Sequence, residues 1–241
     1  MIKAPDTFMG FMNLCDSVYK EITMSQWNIA AAQYRASHHC VDEHITHHLR
    51  FITAAARQQC NVVLFPELSL TGPALPDGRL PAPPDHQQLA PLLDAAKSAD
   101  VSVIAGITVE ERGQRQPGLA WFSPSQPNAI LYPHGAGACL ENRHGGLSIV
   151  DPHSDQPNIA PDAALFTRGM AVSETGWSAT FSQLQRFAHR YAIAVLMANR
   201  DGGSALWDAR GQLIVRADRG ELLLTGRFVE QGWQGEIIPL R

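Results

Sequence analysis

The sequence predicts an α/β protein in which one sheet packs on another and helices cover the outside. Three observations lead there. Runs such as Val62-Val63-Leu64-Phe65 and Ala192 to Ala198 are continuously apolar, the mark of strands covered on both faces. Other segments place their apolar residues three and four apart, the mark of helices with one buried stripe. Strands and helices alternate in the first half and strands dominate the end.

The elements follow in order. Trp27 to Tyr34 reads as a buried strand, and Val41 to Gln59 as a helix with Val41, Ile45, Leu49, Ile52 and Ala56 on its inner face. Asn61 to Phe65 is the next strand, ended by Pro66, which cannot donate to a ladder. A proline-rich loop, "PALPDGRLPAPPD", leads to a helix over Gln87 to Ser98 and a strand over Val101 to Gly106. Leu119 to Phe122 and Ala129 to Tyr132 form a hairpin across "SPSQPN", and "HGAGACLENRHGG" reads as a glycine-rich loop before the short apolar run Leu147 to Val150. Trp177, Phe181, Leu184, Ala188 and Tyr191 mark a helix that Ser173 to Gly176 begin. Ala192 to Ala198 is a buried strand, "SALWDARGQLIVRA" a strand pair turning at Ala209-Arg210-Gly211, and "ELLLTGRF" the closing strand. The tail "VEQGWQGEIIPLR" either folds back on its own domain or reaches a neighbour.

The chain has 241 residues, 45% of them apolar and 17% charged, which suits one globular domain with a real core. The domain pattern begins only after Met24. Residues 1–23 therefore read as an N-terminal extension, with Met24 the native start, and 24–241 as one domain. A net charge of -4 without a basic run excludes a nucleic-acid partner. No apolar stretch reaches the roughly 18 residues of a membrane span, and the N-terminus has no signal-peptide core, so the expectation is a cytoplasmic protein. Cys15, Cys40, Cys60 and Cys139 have no paired spacing and read as free thiols.

Glu67 is the candidate that carries chemistry; the alternative is an ordinary surface acid at a strand end. It follows the buried strand directly, at the C-terminal end where α/β folds bind ligands, and partial burial would make it a better base. Its setting, "FPELSLTG", resembles the glutamate motif of the nitrilase superfamily, the carbon–nitrogen hydrolases. "WNIAAAQY" is similar to that family's first strand, and "ILYPHGAGACLE" lies where it has a tyrosine-x-lysine motif. "GWSATFSQLQRFAHRYAIAVLMANRDGG" and "SALWDARGQLIVRA" resemble its later helix, Ala-Asn strand and hairpin.

The resemblance implies a four-layer α-β-β-α sandwich. It also implies amide or nitrile hydrolysis by a cysteine nucleophile, a glutamate base, a lysine that stabilises the oxyanion and often a second glutamate, without a cofactor. Glu67 matches the base and Glu141 the second glutamate. Tyr132 fits the motif tyrosine, which puts His134 in the lysine's place. "LSIVDP" resembles the cysteine strand, with Ile149 where the cysteine belongs and Asp151 as the acid that follows. No cysteine follows Cys139, and the eight positions from Glu141 to Ile149 are fewer than the family pattern has. The reading is a catalytically degenerate member that binds an amide-like small molecule or a partner subunit, as a homo-oligomer by resemblance. The alternative is an active amidase with Cys139 as nucleophile and Glu67 as base. It rests on the Cys-x-Glu spacing of Cys139 and Glu141.

Other groups fit less well. His44, His47 and His48, near His38, His39 and Cys40, have helical spacing that could ligate a metal, but Ile45 and Leu49 make the buried face and no fourth ligand is fixed. They read as a polar helix face, and no metal is assigned. Arg143 and His144 would lend positive charge to the glycine-rich loop. Cys60 packs as a small apolar residue, and Asn199 either lines the mouth near Glu67 or caps a turn with Asp201 and Gly202. A hydrolase built on His134 with Ser148 or Ser173 has no support in the spacing.

Overall fold

The computed structural model describes residues 27–37, 40–133, 138–142, 145–149, 159, 163–230 and 232–240. The N-terminal extension, Met24, His38, His39, His134, Arg143, His144, Val150 and Asp151 lie outside the described residues.

Two sheets stack face to face. The first has seven strands in the order β13-β12-β1-β2-β3-β4-β5. These are β1 (Asn28–Gln33), β2 (Val62–Leu64), β3 (Ser102–Glu111), β4 (Gln114–Phe122), β5 (Ile130–Pro133), β12 (Leu222–Val229) and β13 (Gly232–Pro239). The second has six, in the order β11-β10-β9-β8-β7-β6: β6 (Ala138–Asn142), β7 (Gly145–Ile149), β8 (Ala163–Met170), β9 (Ala194–Asn199), β10 (Ser204–Trp207) and β11 (Leu213–Ala217). Each sheet has a parallel centre, β1-β2-β3 in one and β7-β8-β9 in the other, with antiparallel strands at its flanks.

Three apolar layers hold the stack. Helices α1 (Val41–Arg57) and α2 (His86–Ala99) cover the first sheet through Phe51, Ile52, Phe65, Leu92 and Ile107. Ile29, Leu64, Ile104, Leu165, Leu196 and Leu224 fill the space between the sheets. Helix α3 (Trp177–Tyr191), led in by a 3-10 turn over Glu174–Gly176, covers the second sheet through Phe166, Phe187 and Trp207. This is the α-β-β-α order. Burying each such side chain stabilises the fold by about 1.5–3 kcal/mol.

Several local expectations change. The inner face of α1 is centred on His44, Ile45, His48, Phe51, Ile52 and Ala55, while Val41, Leu49 and Ala56 pack at its margin. The glycine-rich loop is not a loop throughout. Residues 138–142 and 145–149 form an antiparallel hairpin, with Leu140 paired to Leu147 in the core between the sheets. Strand β8, "AALFTRGM", has no counterpart in the sequence reading, and β3 and β4 extend past their apolar parts as a long ribbon. The tail folds back on its own domain, because β13 pairs with β12 from Leu222–Pro239 to Val229–Gly232. Ser173 makes no side-chain cap and bonds Thr175 Oγ1 at 2.9 Å instead.

Candidate active site

The Glu67 turn begins where β2 ends. The Phe65 N–H donates to Ile104 O at 2.8 Å, continuing the β2–β3 ladder by one residue, and Pro66 stops it. Leu68 then takes a left-handed conformation, φ 53°, that a branched side chain rarely adopts. The turn closes through Ser69 N–H to Pro66 O (3.3 Å) and Gly72 N–H to Leu68 O (2.8 Å), and Leu70 N–H donates across to Gly106 O of β3 (2.9 Å). Glu67 is half-buried at the bend.

Two glycines let both sheets close on this bend. A Cβ on Gly106 of β3 would collide with Pro66 O and Leu68 N, and one on Gly169 of β8 would collide with Phe65 O. The backbone of residues 65–68 is thus gripped between the two sheets, and Glu67 stands at their common mouth.

Helix α1 bolts the turn from behind. His48 is fully buried, stacks on Phe65 with ring centroids 4.0 Å apart, and sets Nδ1 against His44 O at 2.7 Å. Burial pushes its pKa down to about 3, so the ring is neutral. A carbonyl can only accept, so the proton sits on Nδ1 and Nε2 accepts from Ser69 Oγ at 3.0 Å. His44 directs its ring nitrogens at Leu70 O (2.9 Å) and Ser37 O (3.1 Å). Thr71 Oγ1 accepts from both the N–H and the hydroxyl of Thr108, each at 3.1 Å. His44 and His48 are therefore buried supports of the Glu67 turn and not a polar surface. Among the described residues no group of three His, Cys, Asp or Glu side chains is placed to hold a metal. Sequence reasoning missed this support. The available signal was a pair of histidines four apart, interleaved with Ile45, Phe51 and Ile52.

Register places the other candidates. Gly106 pairs with Leu119, and Leu119 with Tyr132, so one row across the first sheet runs from the Glu67 bend to Tyr132. Burial raises the pKa of the Tyr132 hydroxyl. His134, two residues on, lies outside the described residues. In the second sheet Ile149 is the last residue of β7, and its neighbour Ser148 pairs with Phe166 of β8, three residues before Gly169. The Ile149 end of β7 therefore points toward the same mouth. Cys139 pairs with Ser148 on β6, one strand farther from β8, or about 4.8 Å. Glu141 pairs with Gly146, three residues or about 10 Å back along the hairpin from Ile149.

Asn199 does not line the mouth. It is fully buried and clamps the end of β8: its Oδ1 accepts from Val172 N–H at 2.8 Å, and its Nδ2 donates to Val172 O (2.8 Å) and Gly202 O (2.5 Å). Cys60 is buried near Asn28, and its thiol pKa is pushed up to about 12, so it is inert.

The stacked pair of mixed sheets, with the Glu67 bend held between them, is a four-layer sandwich like that of the amidases it resembles. The carbon-nitrogen hydrolase family model matches residues 28–123, the segment that contains the Glu67 turn and its β3 and α1 supports. Solved structures extend the likeness along the chain. An amidase from Nesterenkonia sp. superposes with a TM-score of 0.70 at 17% identity, covering 84% of this chain and 90% of that one. The XC1258 protein of Xanthomonas campestris, a CN-hydrolase superfamily protein with an arsenic adduct in its active site, gives 0.69 at 15% identity, covering 88% and 90%. The family match over residues 28–123 and the shared fold make the chain similar to carbon–nitrogen hydrolases of the nitrilase superfamily. Among the described residues no helix is long and apolar enough to cross a membrane.

Proposed function

We propose that this protein keeps the glutamate half of a carbon–nitrogen hydrolase site and binds an amide-like small molecule there without hydrolysing it. The observation that carries the reading is the residue at the end of β7. Ile149 offers no nucleophile where the cysteine is expected, and no cysteine follows Cys139 anywhere in the chain. Removing a covalent nucleophile typically lowers the rate by several orders of magnitude. His134 in place of the lysine adds to the loss, since an ordinary imidazole is mostly neutral at pH 7 and stabilises an oxyanion less than an ammonium does. The Glu67 turn, by contrast, retains every backbone support described above, which favours a retained pocket over a decayed one. The protein acts as a homo-oligomer in this reading, which light scattering on the purified chain tests.

Acrylamide and butyramide are suitable probes. A variant of the Nesterenkonia amidase carries the product of acrylamide addition at its active-site cysteine, and a cysteine-to-alanine variant binds butyramide. The expected outcome for this chain is no ammonia release from either amide and no acrylamide adduct that depends on Glu67. Butyramide should still raise the melting temperature, and Glu67→Gln should abolish that rise. Ammonia release that disappears in both Cys139→Ser and Glu67→Gln would overturn the proposal in favour of a relocated nucleophile. Installing Ile149→Cys with His134→Lys should create an acrylamide adduct at residue 149.

A further inference from the structure

A cleft opens one strand away from the Glu67 bend, where β1 and β9 end. It has a volume of about 530 Å³, within the range that holds a small molecule. Tyr34 and Arg35 enter it from the end of β1, Arg200 and Asp201 from the end of β9, and Glu174 from the lead-in to α3, with Arg219 from the approach to β12. Glu67 is not part of its lining. All of these segments lie at the same end of the two sheets, the C-terminal ends of parallel strands, where α/β folds build ligand sites.

The hydrogen-bond inventory of the cleft is unbalanced. Asp201 holds two guanidinium groups, but each through Nε alone: Arg35 Nε on Oδ1, and Arg200 Nε on Oδ2 at 3.2 Å. Arg219 donates a single Nη2 to Glu174 at 2.7 Å. A guanidinium carries five N–H donors, so among the described residues most donors of these three arginines are unspent. Both Asp201 oxygens are taken, and Glu221 sets Oε1 against His47 at 2.6 Å and Arg50 at 3.8 Å. The three guanidiniums thus carry more donors than the carboxylate oxygens they engage.

The carboxylates do not close it. The side chains of Arg35 and Arg219 are 74% and 75% exposed, and ion pairs at such exposure hold only weakly, so both can turn to a competing oxyanion. Arg200, at 29% exposure, is the fixed donor, aimed by Asp201.

We infer that this cleft is a binding site for a small oxyanion, a phosphate or carboxylate group, held by the terminal nitrogens of Arg200, Arg35 and Arg219. Asp201 is a positioning residue that orients two of the guanidiniums.

Titrating the full chain separately with inorganic phosphate and with succinate, each against sodium chloride at matched ionic strength, tests this by NMR shifts and melting temperature. The expected result is saturable binding of at least one probe that chloride does not reproduce. The tighter arm tells a phosphate-bearing ligand from a dicarboxylate. Arg200→Gln should weaken binding about tenfold or more, as loss of a charge-assisted donor does. Glu174→Gln should tighten it, because it releases Arg219 and removes a competing carboxylate. Binding that chloride matches, or that survives Arg200→Gln unchanged in a variant with wild-type circular dichroism, would overturn the proposal. So would weaker binding in Glu174→Gln.

Discussion

The Glu67 bend and the β6–β7 hairpin face one mouth from opposite sheets, and they are anchored very differently. The bend is fixed by main-chain groups of β3, by two buried histidines of α1 and by the close approach of Gly169 from β8. The hairpin lies at the edge of its sheet, with β7 alone paired to β8 and with Leu140 and Leu147 as its share of the core between the sheets. The family match covers the first region and stops at residue 123, before the second begins. A site residue carried by over-determined backbone persists. Positions on an edge hairpin can change identity or length with little consequence for the core. The proposed loss of turnover falls on that weaker side.

Substitutions can break or sharpen this contrast. The largest effect is expected at the glycine contacts. Gly106→Val or Gly169→Val should destabilise the protein by at least about 3 kcal/mol in urea denaturation, because the added carbon meets backbone that cannot give way. A mild effect at Gly106 would refute the close grip. Asn199→Ala should cost about 2–3 kcal/mol by stranding the Val172 N–H and two carbonyls, read in the same assay.

Acid should act through the same bolts. The His48 pKa lies near 3 in the fold and near 6.5 when unfolded, so between those values the unfolded chain binds a proton that the native chain refuses. This contribution is complete above about pH 6.5 and is lost as the pH falls toward 3, by at most about 1.4 kcal/mol per pH unit. Denaturation midpoints measured at pH 7, 6 and 5 should decline, and His48→Gln should flatten the decline while lowering stability at pH 7. The smallest effect is expected at the acid itself. Glu67 is half-buried, so Glu67→Gln should change stability by less than about 1 kcal/mol, while abolishing the butyramide-induced rise in melting temperature.

Much of this was legible in the sequence where burial and periodicity agree. The strand Val62–Leu64 is apolar throughout, Ala194–Asn199 is apolar up to its last residue, and α3 carries a regular stripe, so element type and order follow directly. The Glu67 position was legible because proline and an acid punctuate a buried strand. Strand β6 was not, since its flanking glycines signal a loop and only pairing with β7 makes it extended. Strand β8 was hidden because Thr167, Arg168 and Gly169 dilute its apolar run, although that glycine is the contact the site requires. The histidines of α1 misled for a chemical reason. The neutral His48 ring, with both nitrogens engaged, is at home in a core, yet by composition it reads as surface.

The left-handed residue after Glu67 has a wider consequence. Leu68 turns an extended strand into a tight bend within one peptide, and the main chain fixes the point from which the Glu67 side chain starts. An acid carried on such a bend needs no lysine or thiol to hold its backbone in place. The bend is a fixed socket, into which a designer or natural selection can fit new chemistry one neighbour at a time.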